Sequence, residues 1–505
     1  MLFNSLGYAI FLPIVFVLYW AISHKYRWIL LLVASYYFYM SWNPKYVLLI
    51  LLTTAVSYGC GILVENVLEG REKGSDAYIE AQKKARLYIV LALVVCLGVL
   101  FFFKYFNFLS ESVCSILSAV AIPLHPVTLK LLLPVGISFY TFQSLSYVID
   151  VYKGEVKAQR NFGKYALFIS FFPQLVAGPI ERTKNLMPQL FEDRPFDEQK
   201  AVLGLRLMLI GFFKKLILSD ALARYVDKIY EHATYYYGLT LIIATILFTF
   251  QIYCDFSGYS DIAIGTAKLL NIDLMKNFDS PYLSCSIRQF WGRWHISLST
   301  WFRDYVYIPM GGSRVKKSRH IFNTIFTMLV SGLWHGADWS FVVWGGLHGI
   351  YQVIEGFLKK GPLKNIFAHS FEGKENSLQA RLYFFGQGIV TFGLVSFAWI
   401  FFRANSMQDA VYIVTHLHNG LLHLPDAWIR VMVDMGFAQY THIKLIAGIV
   451  VLLIYDYFAQ KRDLLSDYGR LPLIVRWMGY LLFTGFIITL CLHGGTTQSF
   501  IYFQF

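Results

Sequence analysis

Apolar residues along this chain gather in long, charge-poor runs separated by short basic stretches. The runs lie near 5–22, 28–42, 46–64, 88–108, 129–149, 202–219, 238–262, 321–335, 340–357, 382–402, 441–458 and 477–493. A helix that crosses the ~30 Å hydrocarbon core of a bilayer needs about 20 apolar residues. Several runs are shorter, so some are expected to tilt, to re-enter or to be shielded by neighbours. The ten-residue alternation of apolar and polar positions that marks a membrane β-barrel is not visible. The pattern therefore predicts an all-α polytopic integral membrane protein. The opening "MLFNSLGYAIFLPIVFVLYW" has no basic leader and no small-residue cleavage site, so it reads as a retained first span. "YALFISFFPQLVAGP" (165–179) is interrupted by Pro173, Gly178 and Pro179, with Lys164 before it and Arg182 and Lys184 after it. Basic residues on both sides predict a re-entrant segment.

Charge orients these helices. Only 15% of the 505 residues are charged and 56% are hydrophobic, where a soluble domain carries about 25% charge. The 18% aromatic content fits interfacial belts. The formal net charge of +13 is assigned to cytoplasmic loops facing anionic lipid rather than to nucleic acid. Lys25 and Arg27 follow the first run, Arg71, Lys73, Lys83, Lys84 and Arg86 the third, and Lys153, Lys157, Arg160 and Lys164 the fifth. The intervening loop Leu109–Thr128 has no Lys or Arg at all. The basic loops are expected inside and the N-terminus outside. By the same alternation 268–320 and 359–381, with Lys364, are cytoplasmic, and 403–440 and the C-terminus lie outside. Six cysteines, Cys60, Cys96, Cys114, Cys254, Cys285 and Cys491, form no C-x-x-C pair and are read as small apolar residues. No internal repeat or linker is seen. One integral domain over 1–505 is expected, with N-terminal helices in 1–164, a core in 165–360 and C-terminal helices in 361–505.

Candidate chemistry sits in three stretches. In "FWGRWHISLSTWFRDYVYIPMGG" the residues Trp291, Trp294, His295, Leu298, Trp301 and Phe302 recur at helical spacing, which predicts one amphipathic helix at the cytoplasmic surface with His295 on its apolar face. "SGLWHGADWSFVVWGGLHG" holds His335 and His348 in an apolar run whose glycines permit close approach of backbone or ligand. An imidazole at membrane depth is expensive and points to function; His348 serves equally as a helix–helix contact. "QIYCDFSGYSDIAIGTAKLL" adds Asp255 and Asp261, with Ser257 and Asp261 on one face. A buried carboxylate needs a partner, and Arg288, Arg293 and Arg303 are the expected ones. The histidines lack metal-ligand spacing, so no metal is expected.

These stretches, together with "FFPQLVAGPIER" and the ending "FIYFQF", resemble the membrane-bound O-acyltransferase (MBOAT) family. The likeness is greatest to its alginate O-acetyltransferase-like bacterial branch for cell-surface polysaccharides. Relatives commonly carry Arg where this chain has Gly292. The resemblance implies about 11–13 transmembrane or re-entrant helices around a tunnel crossing the membrane. It matches His335 to the family's central catalytic histidine and His295 to the second. Trp334, Trp294, Ser257, Asp261, Arg303 and Asp304 are the candidates for substrate contact or tunnel lining. It implies no bound cofactor. The donor is acetyl-coenzyme A or another acyl thioester from the cytoplasm, and the acceptor an extracytoplasmic polysaccharide. The acetyl group is expected to reach sugar directly or through an SGNH-hydrolase-like partner outside, and the location is the bacterial inner membrane. Histidine suits this chemistry, because acyl transfer needs a base near neutral pKa for the hydroxyl proton. D-alanyl transfer to teichoic acid, acylation of a lipid, and a transporter with histidine proton relays are the competing functions.

Overall fold

The computed structural model describes residues 1–72, 74–122, 124–176, 178–361, 377–437, 440–493 and 500–501. Lys73, Lys364, the ending beyond Ile501 and the Cys491 side chain fall outside them. The described residues form helices and no strand. Most apolar runs fold close to their expected bounds, as Leu6–Ala21, His24–Met40, Val47–Leu68, Lys317–His335, Trp339–Leu358, Leu378–Arg403, Thr441–Ala459 and Leu473–His493. Among the described residues five stretches are long and apolar enough to cross a membrane: Pro44–Leu68, Asp76–Ala119, Leu239–Leu269, Leu378–Arg403 and Thr441–Ala459. Large aliphatic side chains stand outward on many helices, such as Leu6, Ile10, Ile14 and Val17 on the first. Such rows are stable against lipid, not water.

Three expectations are corrected, and a fourth run is helical as expected but irregular at its end. The loop at 109–128 is helical through Ala119, because Asp76–Leu100, a π-helical turn Phe101–Tyr105 and Phe106–Ala119 form one run. The run at 129–149 becomes helical only at Ile137, after Pro134 and a left-handed Gly136 (φ 74°). The run at 202–219 closes in a wide π-helical turn, Phe213–Ser219. The single amphipathic helix through 291–303 is two short helices, Ile287–Trp291 and Ile296–Phe302, broken between them. The stretch at 165–179 is broken as its prolines required, into Phe162–Ser170 and Phe172–Leu175. Nine helical residues span about 14 Å, too little to cross a bilayer.

The chain divides into two compact units. The first comprises Met1–Met208 and Tyr259–Met275. In it, Tyr8 shares a hydrogen bond with Thr266, and Phe3, Phe38 and Phe172 pack as a ring cluster. Glu181 of "FFPQLVAGPIER" is fully buried there and accepts from the Met275 N–H and from Asn185 Nδ2. The second unit comprises Leu209–Gly258 and Lys276–Phe505. Its centre is the hairpin of Lys317–His335 and Trp339–Leu358. A methyl group on Gly332 would overlap the Phe341 carbonyl, and one on Gly345 the Met328 carbonyl. Those glycines bring backbone against backbone rather than leaving room for a ligand.

Candidate active site

His335 is the last residue of Lys317–His335, and the chain reverses over the next three residues. Asp338 caps the returning helix, accepting from the Ser340 N–H at 2.7 Å. The hairpin thus fixes the position of His335 at its closed end, where it is 2% exposed. Three rings stand edge-on to its imidazole: Trp334 at 4.9 Å, Trp344 at 5.0 Å and Phe402 at 5.5 Å.

His295 arrives by a different route. It sits in the break between the two short helices, with left-handed backbone (φ 44°, ψ 55°). A non-glycine residue takes that conformation only when its surroundings hold it there. Here the holder is Asn277. Its carbonyl accepts from the Ile296 N–H at 2.9 Å, and its side-chain oxygen accepts from Ser297 N and Oγ. His295 Nδ1 lies 3.0 Å from the same oxygen. Because the Ser297 backbone N–H donates to that atom, it is the amide oxygen, so His295 Nδ1 carries the proton and Nε2 the lone pair. Burial pushes the His295 pKa down to about 3, and the ring is neutral at pH 7.

The two imidazoles meet with ring centroids 6.4 Å apart. Trp334 lies 6.1 Å from His295, and Phe256 stands edge-on to it at 4.6 Å. Trp294 contacts Trp399 at 5.1 Å, and Trp399 stacks on Trp344 at 5.4 Å. The structure therefore gathers His335, His295, Trp334 and Trp294 in one aromatic interior of the second unit. His348 adjoins it through Trp344, and its Nδ1 accepts from Trp291 Nε1 at 3.2 Å, a helix-packing role. Ser257 is buried one residue from Phe256, and its hydroxyl has no hydrogen-bond partner among the described residues. Arg303 and Asp304 form a partly exposed pair at 2.8 Å, and Asp261 belongs to the first unit.

The expected partner of Asp255 is wrong. Its carboxylate pairs with Lys215 at 2.5 Å, not with an arginine of the basic segment. Lys215 reaches inward because the π-helical turn Phe213–Ser219 widens the helix there. Asn277, Phe256, Trp344 and Trp399 were not among the sequence candidates. Asn277 lies in an irregular segment with no periodicity to expose it, and the rings read as ordinary core. Among the described residues no group of three or more His, Cys, Asp or Glu side chains is arranged to hold a metal.

Comparison with known proteins gives the family. The profile of the membrane-bound O-acyltransferase family matches residues 157–373, which include both histidines. The chain is 38% identical over 401 residues to the probable alginate O-acetylase AlgI of Pseudomonas aeruginosa, covering 79% of this chain and 71% of that protein. It is 36% identical to the probable alginate O-acetylase AlgI of Azotobacter vinelandii, over 89% of this chain and 84% of that one. It is 33% identical to the peptidoglycan O-acetyltransferase of Helicobacter pylori, over 76% and 72%. The chain belongs to the membrane-bound O-acyltransferase family.

Proposed function

We propose that this multi-pass membrane O-acyltransferase moves acetyl groups from a cytoplasmic thioester, acetyl-coenzyme A, to hydroxyls of an extracytoplasmic polysaccharide. Relatives named as alginate and peptidoglycan acetylating enzymes support a polysaccharide acceptor. Histidine 335 takes the proton of the attacking hydroxyl. The hydroxyl oxygen forms a bond to the thioester carbonyl carbon, the C–S bond breaks, and the sulfur leaves with the proton. His295, neutral and fixed by Asn277, offers a lone pair at Nε2 to steer the second reacting group. The orientation assigned to the basic loops brings the anionic donor to the inner side of the bacterial inner membrane and leaves both termini outside. The acetyl group reaches sugar directly or through an SGNH-hydrolase-like partner outside, whose hydroxyl then attacks first and passes the group on.

The observation that carries this reading is the meeting of two histidines, 40 positions apart in sequence, within one buried aromatic shell. A neutral imidazole has a ring nitrogen free of hydrogen, the group that takes a hydroxyl proton in general-base catalysis. The test compares purified wild type and His335→Gln for consumption of acetyl-coenzyme A and formation of an O-acetyl ester. Gln keeps hydrogen-bonding groups but takes up no proton at neutral pH. Turnover is expected to fall about 10²–10⁴-fold, the usual contribution of a general base. Wild-type turnover in the variant would remove the base assignment. A D-alanyl ester product, or transport without thioester consumption, would replace the acetyl reading.

A further inference from the structure

A buried charge cluster lies in the second unit, outside the proton-transfer chemistry. Asp255 is 2% exposed. Its Oδ1 faces Lys215 Nζ at 2.5 Å and accepts from Ser219 Oγ at 3.3 Å. Lys215, equally buried, also faces Asp220 Oδ1 at 3.0 Å. One ammonium thus serves two carboxylates. The other Asp255 oxygen, Oδ2, accepts the backbone N–H of Ile501 at 2.7 Å, a residue 246 positions away. Phe500 and Ile501 are buried, and the Phe500 ring lies 5.7 Å from Phe256. Phe256 is the ring that stands edge-on to His295.

Burying three charges costs several kcal/mol per ion, and an apolar trio of the same volume often braces helices as well or better. An apolar trio could not hold a lone backbone N–H arriving from a distant segment. A carboxylate can, and its hydrogen bonds are about twice as strong as neutral ones. We infer that Asp255 is a positioning residue: clamped by Lys215 and Asp220, it seats the segment Phe500–Ile501 against Phe256 and so fixes the wall of the His295 site. This rests on the reading of His295 and His335 as the reacting pair. Loosening the seat frees Phe500, lets Phe256 turn, and blurs the His295 position, while the binding of the thioester is left intact.

Two variants address the two ends of the bond. Ile501→Pro removes the donor and leaves the charge cluster whole. Asp255→Asn weakens the acceptor and leaves Lys215 paired with Asp220. Each is purified as the full chain in detergent and assayed with acetyl-coenzyme A. For both, kcat is expected to fall at least about tenfold with KM for acetyl-coenzyme A within about twofold, as for loss of one charge-assisted hydrogen bond. Ile501→Val, which keeps the N–H, loses less than about threefold. Hydrogen–deuterium exchange reads the seat without activity: the Ile501 amide is protected in the wild type and exchanges at least about a hundredfold faster in Asp255→Asn. Wild-type kcat in monodisperse Ile501→Pro, or unchanged Ile501 exchange in Asp255→Asn, overturns the proposal. If exchange accelerates as expected while His335→Gln keeps full turnover, the seat stands and the general-base reading fails.

Discussion

The helices Leu239–Leu269 and Thr441–Ala459 have almost the same mean hydropathy, and both are long enough to span a bilayer. Within their most apolar windows, 78% of the first is buried inside the protein and 17% of the second. The difference lies in the polar residues. Leu239–Leu269 carries Thr240, Thr245, Thr249, Gln251, Asp255, Ser257, Ser260 and Thr266, all buried. Lipid offers such groups no partner, so protein supplies one for most of them. Thus Thr249 donates to the Thr245 carbonyl and to Ser396 Oγ, Tyr253 donates to Asp456, and Asp255 meets Lys215. Thr441–Ala459 instead turns Ile443, Ile446, Val450, Val451 and Ile454 outward and buries Leu445, Leu452 and Asp456. Two spans of equal greasiness therefore do opposite work. A row of buried polar residues within an apolar run marks the helix that faces other helices and supports the site; on the helix that faces lipid Asp456 is the lone buried polar residue among the described ones.

The largest test of that contrast removes a cation from each region. Lys215→Met strands Asp255 and Asp220 without their ammonium, a change that typically costs about 3–5 kcal/mol. Lys444→Met, at the exposed start of the outer helix, is expected within about 0.5 kcal/mol of wild type. Thermal unfolding in one detergent measures both. Equal midpoints would mean that the inner charge cluster is not holding the fold as described.

A smaller effect separates inner from outer glycines. A methyl on Gly345 would overlap the Met328 carbonyl, whereas one on Gly393 meets nothing within 4 Å. Gly345→Ala is expected to destabilise by about 1–3 kcal/mol, as overpacking does. Gly393→Ala is expected to be neutral or to stabilise by up to about 1 kcal/mol, because alanine favours the helix. The same melting assay decides. A tolerated Gly345→Ala would show the hairpin to be looser than its backbone contacts indicate.

What the sequence made legible follows the same physics. Lipid forces nearly every apolar run to be helical, so most helix positions could be read directly. His335 and His295 stood out because an imidazole is costly among apolar residues and because their motifs matched a family. The break at His295 did not stand out, since Trp291, Trp294, Leu298 and Trp301 keep helical spacing across it. The residue that imposes the break, Asn277, acts from 18 positions away. Asp255 announced its need for a partner but not which one. Local charge density favoured the arginines at 288, 293 and 303, and the fold supplied Lys215 from 40 positions earlier. Periodicity records which face of a helix is apolar; it carries no information on which distant segment will cover that face.

The smallest expected effect is also the most discriminating, because it changes one hydroxyl for one methyl in each direction. Thr249→Val keeps the shape of an inner residue and removes its bonds to the Thr245 carbonyl and Ser396 Oγ. The Ser396 hydroxyl stays buried, so part of the loss is its unmet hydrogen-bonding capacity, and about 1 kcal/mol is expected. Val450→Thr makes the reverse change on the outer helix, where Val450 is 46% exposed. There the new hydroxyl can bond the carbonyl one turn back within its own helix, so the cost should stay below about 0.5 kcal/mol. If Val450→Thr proves the more damaging of the two in thermal unfolding, lipid exposure is not what distinguishes these helices, and the reading of polar residues as markers of the inner one is lost.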